Sequence, residues 1–345
     1  MVIRPAFYLY RLNPTGEIIS RTEGMGSSMN VLVTGGAGFI GSHFVEALMA
    51  EGDDVVVIDN LSSGSLDNLR SSSAKPGFKF VEADLKKFSG WNDVLDGVSL
   101  VYHFAANPEV NVGETNPALH FQENLFATFM LLEALRKSKT AKHIVFASTS
   151  TVYGEASKLP TPEDYGPLLP ISTYGATKLG CEALISSYAY THGMRALILR
   201  FGNCVGSRAT HGVVVDFLRK LKADASALEI LGDGTQKKSY IHVEDLLGAA
   251  SFIKDRFLSS ELRVDVYNVS SADQITVKHI AEIVAEQMGL HGVKMNFTGG
   301  VDGGRGWLGD VKQMHLSIGK LRRLGWTPKL NSEAAIRKAE KELLA

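Results

Sequence analysis

The chain has 345 residues, room for about two domains. Hydrophobic residues make up 45% and charged residues 21%, proportions that exclude wholesale disorder. Basic and acidic residues nearly cancel at a net charge of −1, which excludes electrostatic attraction as the basis for binding nucleic acid or an anionic membrane.

Residues 1–28 lack the unbroken apolar core of a signal peptide. Their aromatic patch, Phe7-Tyr8-Leu9-Tyr10, is broken by Arg11 and Pro14. They read as an extension ahead of a natural start at Met29 or Met25. From Asn30 the text changes. Val31-Leu32-Val33-Thr34 is a short apolar run, as in a strand buried on both faces. Phe39, Ile40, Phe44, Val45 and Leu48 then recur at a helical period. Between them stand Gly35, Gly38 and Gly41. Such a turn lets the backbone approach a pyrophosphate, and the helix N-terminus offers it N–H groups. A mononucleotide P-loop is excluded, because Ser42 stands where its lysine would be.

The second strand, Val55–Ile58, ends at Asp59, eighteen residues after Gly41. An acid at this distance accepts from adenosine ribose hydroxyls and repels a 2′-phosphate. No arginine follows it directly, so NAD is expected over NADP. Strands follow at Phe78–Val81, Leu100–Phe104, His143–Phe146 and Ala196–Arg200, with helices over 116–137 and 174–192. This alternation predicts an α/β fold, a doubly wound parallel sheet. No apolar run approaches the roughly 18–20 residues of a membrane span. Cys181 and Cys204 are too few for a disulfide framework and suit a reducing cytoplasm. His103 and His242 lack paired ligand spacing and read as structural; no metal is expected.

Two segments carry reactive groups. Ser148–Gly154 stands at the carboxyl end of the fifth strand, where open α/β sheets place ligands. Tyr174 and Lys178 open a helix four residues apart, on one face. A cation about 4 Å from a phenol is worth about 4 kcal/mol at an effective dielectric near 20, enough to lower its pKa by about three. Tyr174 would then be a general base near neutral pH, with Thr149 sharing its substrate hydroxyl.

With TGGAGFIG at 34–41, HFAANPEV at 103–110, STSTVYG at 148–154, PISTYGATK at 170–178, LRFGNCVG at 199–206 and GDGTQKKSYIHVEDL at 232–246, residues 29–330 resemble the extended short-chain dehydrogenase/reductase family. Within it they are most similar to the UDP-glucose 4-epimerases. The resemblance implies Tyr174 as base, Lys178 as both its cation and a nicotinamide-ribose ligand, and Thr149 in the Ser/Thr position. It implies NAD contacts at Gly35, Gly38, Phe39, Ile40 and Gly41, then at Asp59, Asn60, Ser63 and Gly64. Asp84 and Leu85 would face adenine. Phe104, Ala105 and Ala106 would line the pyrophosphate and nicotinamide wall, with Asn124 and Phe201 also at the cofactor. A UDP-sugar would meet Thr149, Asn203, Lys238, Arg305, Asp310 and Met314, the last at the sugar C2 substituent.

The implied reaction is C4 epimerisation of a UDP-hexose through a 4-ketose. Related dehydratases carry Asp-Glu directly after the Ser/Thr; here those positions are Ser150 and Thr151. A dehydratase, a net reductase, a UDP-uronate or UDP-N-acetylhexosamine epimerase, and a non-catalytic NAD-sensing module are the alternatives. The chain departs from the bacterial epimerase pattern at Trp307 and Lys238, both arginine positions, which leaves TDP and GDP open beside UDP. The resemblance also implies an NAD-binding domain over 29–203 and 240–270. A smaller nucleotide-sugar lobe would span 204–239 and 271–345, and a homodimer would form through the 116–137 and 174–192 helices.

Overall fold

The computed structural model describes residues 28–345, together with the backbone of Arg11–Leu12 and Ile18–Ser20, which pair antiparallel. Apart from these two strands and Ser28, the N-terminal extension expected over 1–28 lies outside the described residues. Strand β1 (Asn30–Thr34) feeds helix α1 (Phe39–Ala50) through the glycine turn. Strands β2 (Asp54–Asp59), β3 (Phe78–Glu82) and β4 (Leu100–His103) follow. Helix α2 runs over 117–137. It opens as Pro117–His120, passes through a π-helical stretch at Phe121–Phe126, and continues as Ala127–Lys137. Then come β5 (His143–Thr149), α3 (Thr173–Thr191) and β6 (Arg195–Phe201).

After β6 the chain leaves the sheet. It forms β7 (Asn203–Val205), α4 (Val213–Ala223), β8 (Ala227–Ile230) and β9 (Lys237–Lys238). It returns through β10 (Tyr240–His242) and α5 (Val243–Leu258) to β11 (Val264–Val269). The remainder supplies β12 (Ile275–Thr276), α6 (Val277–Gln287), β13 (Lys294–Phe297), β14 (Gln313–Met314), α7 (Gly319–Arg323) and α8 (Ser332–Leu344).

The main sheet has seven parallel strands in the order β3-β2-β1-β4-β5-β6-β11. It is the doubly wound fold expected from the sequence. The order reverses between β1 and β4, and the crevice at such a reversal is where ligands bind. Period-two alternation sorts side chains to the two faces. Val31 and Val33 join one core with Phe44 and Leu48 of α1 and Leu246 and Ile253 of α5. Leu32, Ile144 and Phe146 join the other with Leu131 of α2 and Ile185 of α3. Burying each such aliphatic side chain contributes roughly 1.5–3 kcal/mol.

A third core, with Phe217, Leu228, Ile280 and Ile336, lies in the smaller lobe, where β8 pairs with β13. Strand β9 lies between β12 and β14. From the 271–345 stretch, Leu321 packs into the sheet's own first core. Among the described residues no helix is long and apolar enough to cross a membrane.

Candidate active site

The glycine turn is shaped by sterics. Gly35 adopts φ +70°, and a Cβ there would sit 2.6 Å from the Ala105 nitrogen. A Cβ on Gly41 would lie 2.2 Å from the Gly35 oxygen, so helix and turn meet at backbone contact. At Gly38 only the Gly35 oxygen, 3.3 Å away, stands near such an atom. Gly38 caps α1 without a side-chain acceptor, leaving the first N–H groups of the helix for an anion. Phe39 and Ile40 open that helix; Phe39 stands against Gly206 and Ile40 packs on the core.

Asp59 closes the turn from the side. Its Oδ2 accepts from the Ala37 amide at 2.9 Å and its Oδ1 from Leu61 at 2.8 Å. Burial raises its pKa, against both hydrogen bonds. Asn60 and Ser63 are exposed beside it, and a Cβ on Gly64 would touch the Ala37 backbone at 2.8 Å. Asp84 pairs with Lys86 at 3.4 Å, and Leu85 is buried. Asp59 and Gly64 thus both meet the turn at Ala37. The free N–H groups at the start of α1 could hold a dinucleotide's pyrophosphate, and the Asp59 carboxylate could accept from its ribose.

Three expected cofactor contacts are placed differently. The Phe104 ring packs against the core, its centre 4.5 Å from that of Phe44, and the backbone of Phe104 and Ala105 lies against Gly35 of the turn. The Phe201 side chain is also core. Asn124, 1% exposed, spends its amide on protein: its Oδ1 accepts from the Asn107 amide at 2.7 Å, and its Nδ2 donates to the Asn107 carbonyl and to Thr177. It clamps the loop after β4 to α3, so its reach to a cofactor is through that loop.

The reactive groups converge where β5 ends and α3 begins. Thr149 ends β5, and its hydroxyl caps the following turn at the Thr151 amide. Ser172 caps α3, accepting from Gly175 at 3.1 Å. One residue inside that cap-to-helix junction stands Tyr174, whose phenol is turned toward the Thr149 hydroxyl. Burial pushes the phenol up to about 12; the Cys181 thiol adds to this, and the Thr149 hydroxyl opposes it. Burial here works against the acidified phenol expected from the sequence. Lys178 lies with its Nζ 4.2 Å from the Phe146 ring centre, and burial lowers it to about 8. Its charge acts on Cys181 and on His103. His103, held down to about 3 by burial and by Lys178, bridges Thr34 and Thr128.

One turn beyond Lys178, Glu182 forms a buried two-pronged ion pair with Arg200 of β6, at 2.7 and 3.0 Å. Ser148 donates to the same carboxylate, and Arg200 also reaches the Tyr153 hydroxyl at 2.9 Å. This network fixes α3 against the strand ends. Sequence reasoning missed it, although Glu182 continues the Tyr174–Lys178 face at the next helical turn.

At the smaller lobe Lys238 pairs with Asp310 at 2.5 Å and lies 5.7 Å from the Trp307 ring centre. Asn203 pairs in register with Tyr240. Arg305 is spent on Glu155, at 2.8 Å, and on Asp302. Met314 is 6% exposed and packs with Val152, Tyr153, Val311 and Leu316. It is a core residue here, not a free wall, because β14 turns it into that small cluster.

Residues 31–270 match the NAD dependent epimerase/dehydratase family. The chain belongs to that family. Its crevice is therefore that of an NAD-dependent, nucleotide-sugar-modifying enzyme of the extended short-chain dehydrogenase/reductase kind. A solved UDP-galactose 4-epimerase is 41% identical, with a TM-score of 0.81, covering 91% of this chain and 98% of that one. A UDP-glucose 4-epimerase of Corynebacterium glutamicum is 30% identical over 87% of this chain and 91% of its own. A UDP-N-acetylglucosamine 4-epimerase from Methanobrevibacter ruminantium, solved with UDP-N-acetylmuramic acid, is 28% identical with a TM-score of 0.79. It covers 92% of this chain and 98% of that one. Family members thus share the fold across different sugars.

Proposed function

We propose that this protein interconverts the C4 epimers of a UDP-hexose of the glucose/galactose type. The observation that carries the reading is the set of neighbours around Thr149 and Tyr174. Elimination of water from a sugar needs an acid and a second base. The two residues after Thr149 are Ser150 and Thr151, neither of which can serve. The carboxylate of Glu182, one turn beyond Lys178, is paired with Arg200, and that of Glu155 with Arg305. The 41% identity to a UDP-galactose 4-epimerase supports the same reading.

In this mechanism Thr149 and Tyr174 share the sugar C4 hydroxyl, and Tyr174 takes its proton and later returns it. NAD, when bound, supplies the hydride acceptor and donor. Gly35, Gly38, Gly41 and Asp59 would hold its pyrophosphate and adenosine ribose. Lys178 would hold its nicotinamide ribose. Because burial keeps the phenol near 12, Tyr174 needs added positive charge to act as a base. Lys178 is the chain's own cation on that helix face. Lys238, Asp310 and Asn203 would anchor the nucleotide while the ketose turns over.

The decisive assay incubates the NAD-loaded protein with a panel of UDP-hexoses, without reductant, and resolves C4 epimers. Epimers of UDP-glucose are the expected product; a 4-keto-6-deoxy product overturns the reading. Phe121 is 49% and Phe129 37% exposed on α2, aromatic surface that fits a homodimer built on α2 and α3. Light scattering on Phe129→Glu tests this: loss of a wild-type dimer is the expected result.

A further inference from the structure

We infer that His120 is a positioning residue for the Tyr174 phenol, a role that rests on the reading of Tyr174 as the base. His120 ends the first turn of α2, just before the π-helical stretch, and is fully buried. Its ring lies edge-to-face against the Tyr174 ring, centroids 5.7 Å apart at 65°. Its Nε2 is 3.0 Å from the Glu109 carbonyl oxygen. A carbonyl only accepts, so Nε2 carries the hydrogen and the neutral ring keeps a bare lone pair at Nδ1. Among the described residues that atom is buried without a partner.

The ring is wedged. A Cβ on Gly113 would sit 3.0 Å from Nδ1 and 3.1 Å from the Thr173 Cβ, so any larger residue there would press on the ring. Burial lowers the pKa of the imidazole, against the Glu109 bond, and keeps it neutral. His120 therefore joins three elements at one point: the loop after β4 through Glu109, helix α2 by its own backbone, and α3 through the Tyr174 ring. An unpartnered buried nitrogen is a cost that a purely apolar ring of the same size would not carry. Histidine instead ties the ring to the loop, and the phenol leans on a ring that cannot swing.

The test uses the full chain with NAD bound. His120→Ala removes the ring, and His120→Gln removes it while keeping a donor for Glu109. Both should lower kcat about tenfold or more with KM for the UDP-hexose within about twofold, as expected of misplaced reacting groups. His120→Phe restores a ring without the Glu109 tie and should give a kcat between those of the Ala variant and wild type. The proposal is overturned if kcat of the Ala and Gln variants stays within about twofold of wild type, if the loss lies in KM, or if Phe is no better than Ala. A second readout is independent of turnover. The tyrosine ring ζ-carbon resonance that Tyr174→Phe removes should move in His120→Ala. An unmoved resonance overturns the contact, whatever the substrate; absence of epimerisation by wild type with a moved resonance sinks only the proposed function.

Discussion

The Lys178 ammonium faces the Phe146 ring, 4.2 Å from its centre, one helical turn beyond Tyr174. It is 3% exposed, a cation kept in apolar surroundings for the sake of the site. Its stability cost and its chemical use are therefore separable.

Lys178→Met should stabilise the cofactor-free fold by roughly 1–3 kcal/mol and lower kcat by at least about 100-fold. The pH dependence has a definite sign. Between pH of about 8 and 10.5 the unfolded chain keeps a proton on Lys178 that the folded chain has released. Wild-type stability therefore gains from this residue as pH rises through that window, and the Met variant lacks the gain. Urea unfolding at several pH values reads both effects. A variant less stable than wild type at pH 7 would show that the ammonium is favourably held.

Tyr174→Phe should lower kcat by at least about 100-fold, the usual contribution of general base catalysis, and leave NAD binding intact. Near-normal turnover in that variant would remove Tyr174 from the mechanism.

Two glycine substitutions separate steric need from backbone need. Gly41→Ala would place a methyl 2.2 Å from the Gly35 oxygen, pushing helix from turn. NAD affinity should fall about tenfold or more, the equivalent of about 1.4 kcal/mol. Gly52 has φ +87° but open space around it. Gly52→Ala should cost only about 1 kcal/mol of stability and leave NAD affinity unchanged. Calorimetric titration distinguishes them; equal loss of affinity would refute the close-packing account.

Arg200→Leu would strand the buried Glu182 carboxylate, and breaking such a pair costs about 3–5 kcal/mol. The double variant Arg200→Leu with Glu182→Leu should be less destabilised than the single one. Denaturation of all three variants gives the coupling energy, and strict additivity would mean that the pair does not act as a unit.

Met314→Ala should cost about 2–4 kcal/mol as a core truncation. Activities on UDP-glucose and UDP-N-acetylglucosamine should then change by the same factor. A change confined to the acetamido sugar would return Met314 to the sugar wall.

What was legible in the sequence is what depends on near neighbours. The turn at Gly35–Gly41, the strand ending in Asp59, and the shared face of Tyr174 and Lys178 are all short-range patterns, and the structure assembles them as read. The misplacements are long-range. Arg305 meets Glu155, 150 positions away, and no spacing announces such a partner. Asn124 is drawn into hydrogen bonds with Asn107 and Thr177 because a buried amide must be satisfied by whatever lies opposite. Phe201 and Met314 are apolar at strand ends, where the same residue type suits either a core or a pocket wall. Lys178 shares a face with Tyr174, and its long stem also sets the charge against Phe146 of the neighbouring strand, a contact that no spacing announces.

The sheet is completed late. Strand β6 is buried along Ala196–Phe201, yet its outer neighbour β11 begins only at Val264, after the chain has made its excursion through the smaller lobe. While the ribosome is still delivering that excursion, β6 presents an open row of amides and carbonyls flanked by apolar side chains. Such an edge recruits other nascent chains. A chain cut short before Val264 would hold most of the crevice residues described above and still be a candidate for aggregation. The cell must shelter this protein longest at the point where its chemistry is already encoded.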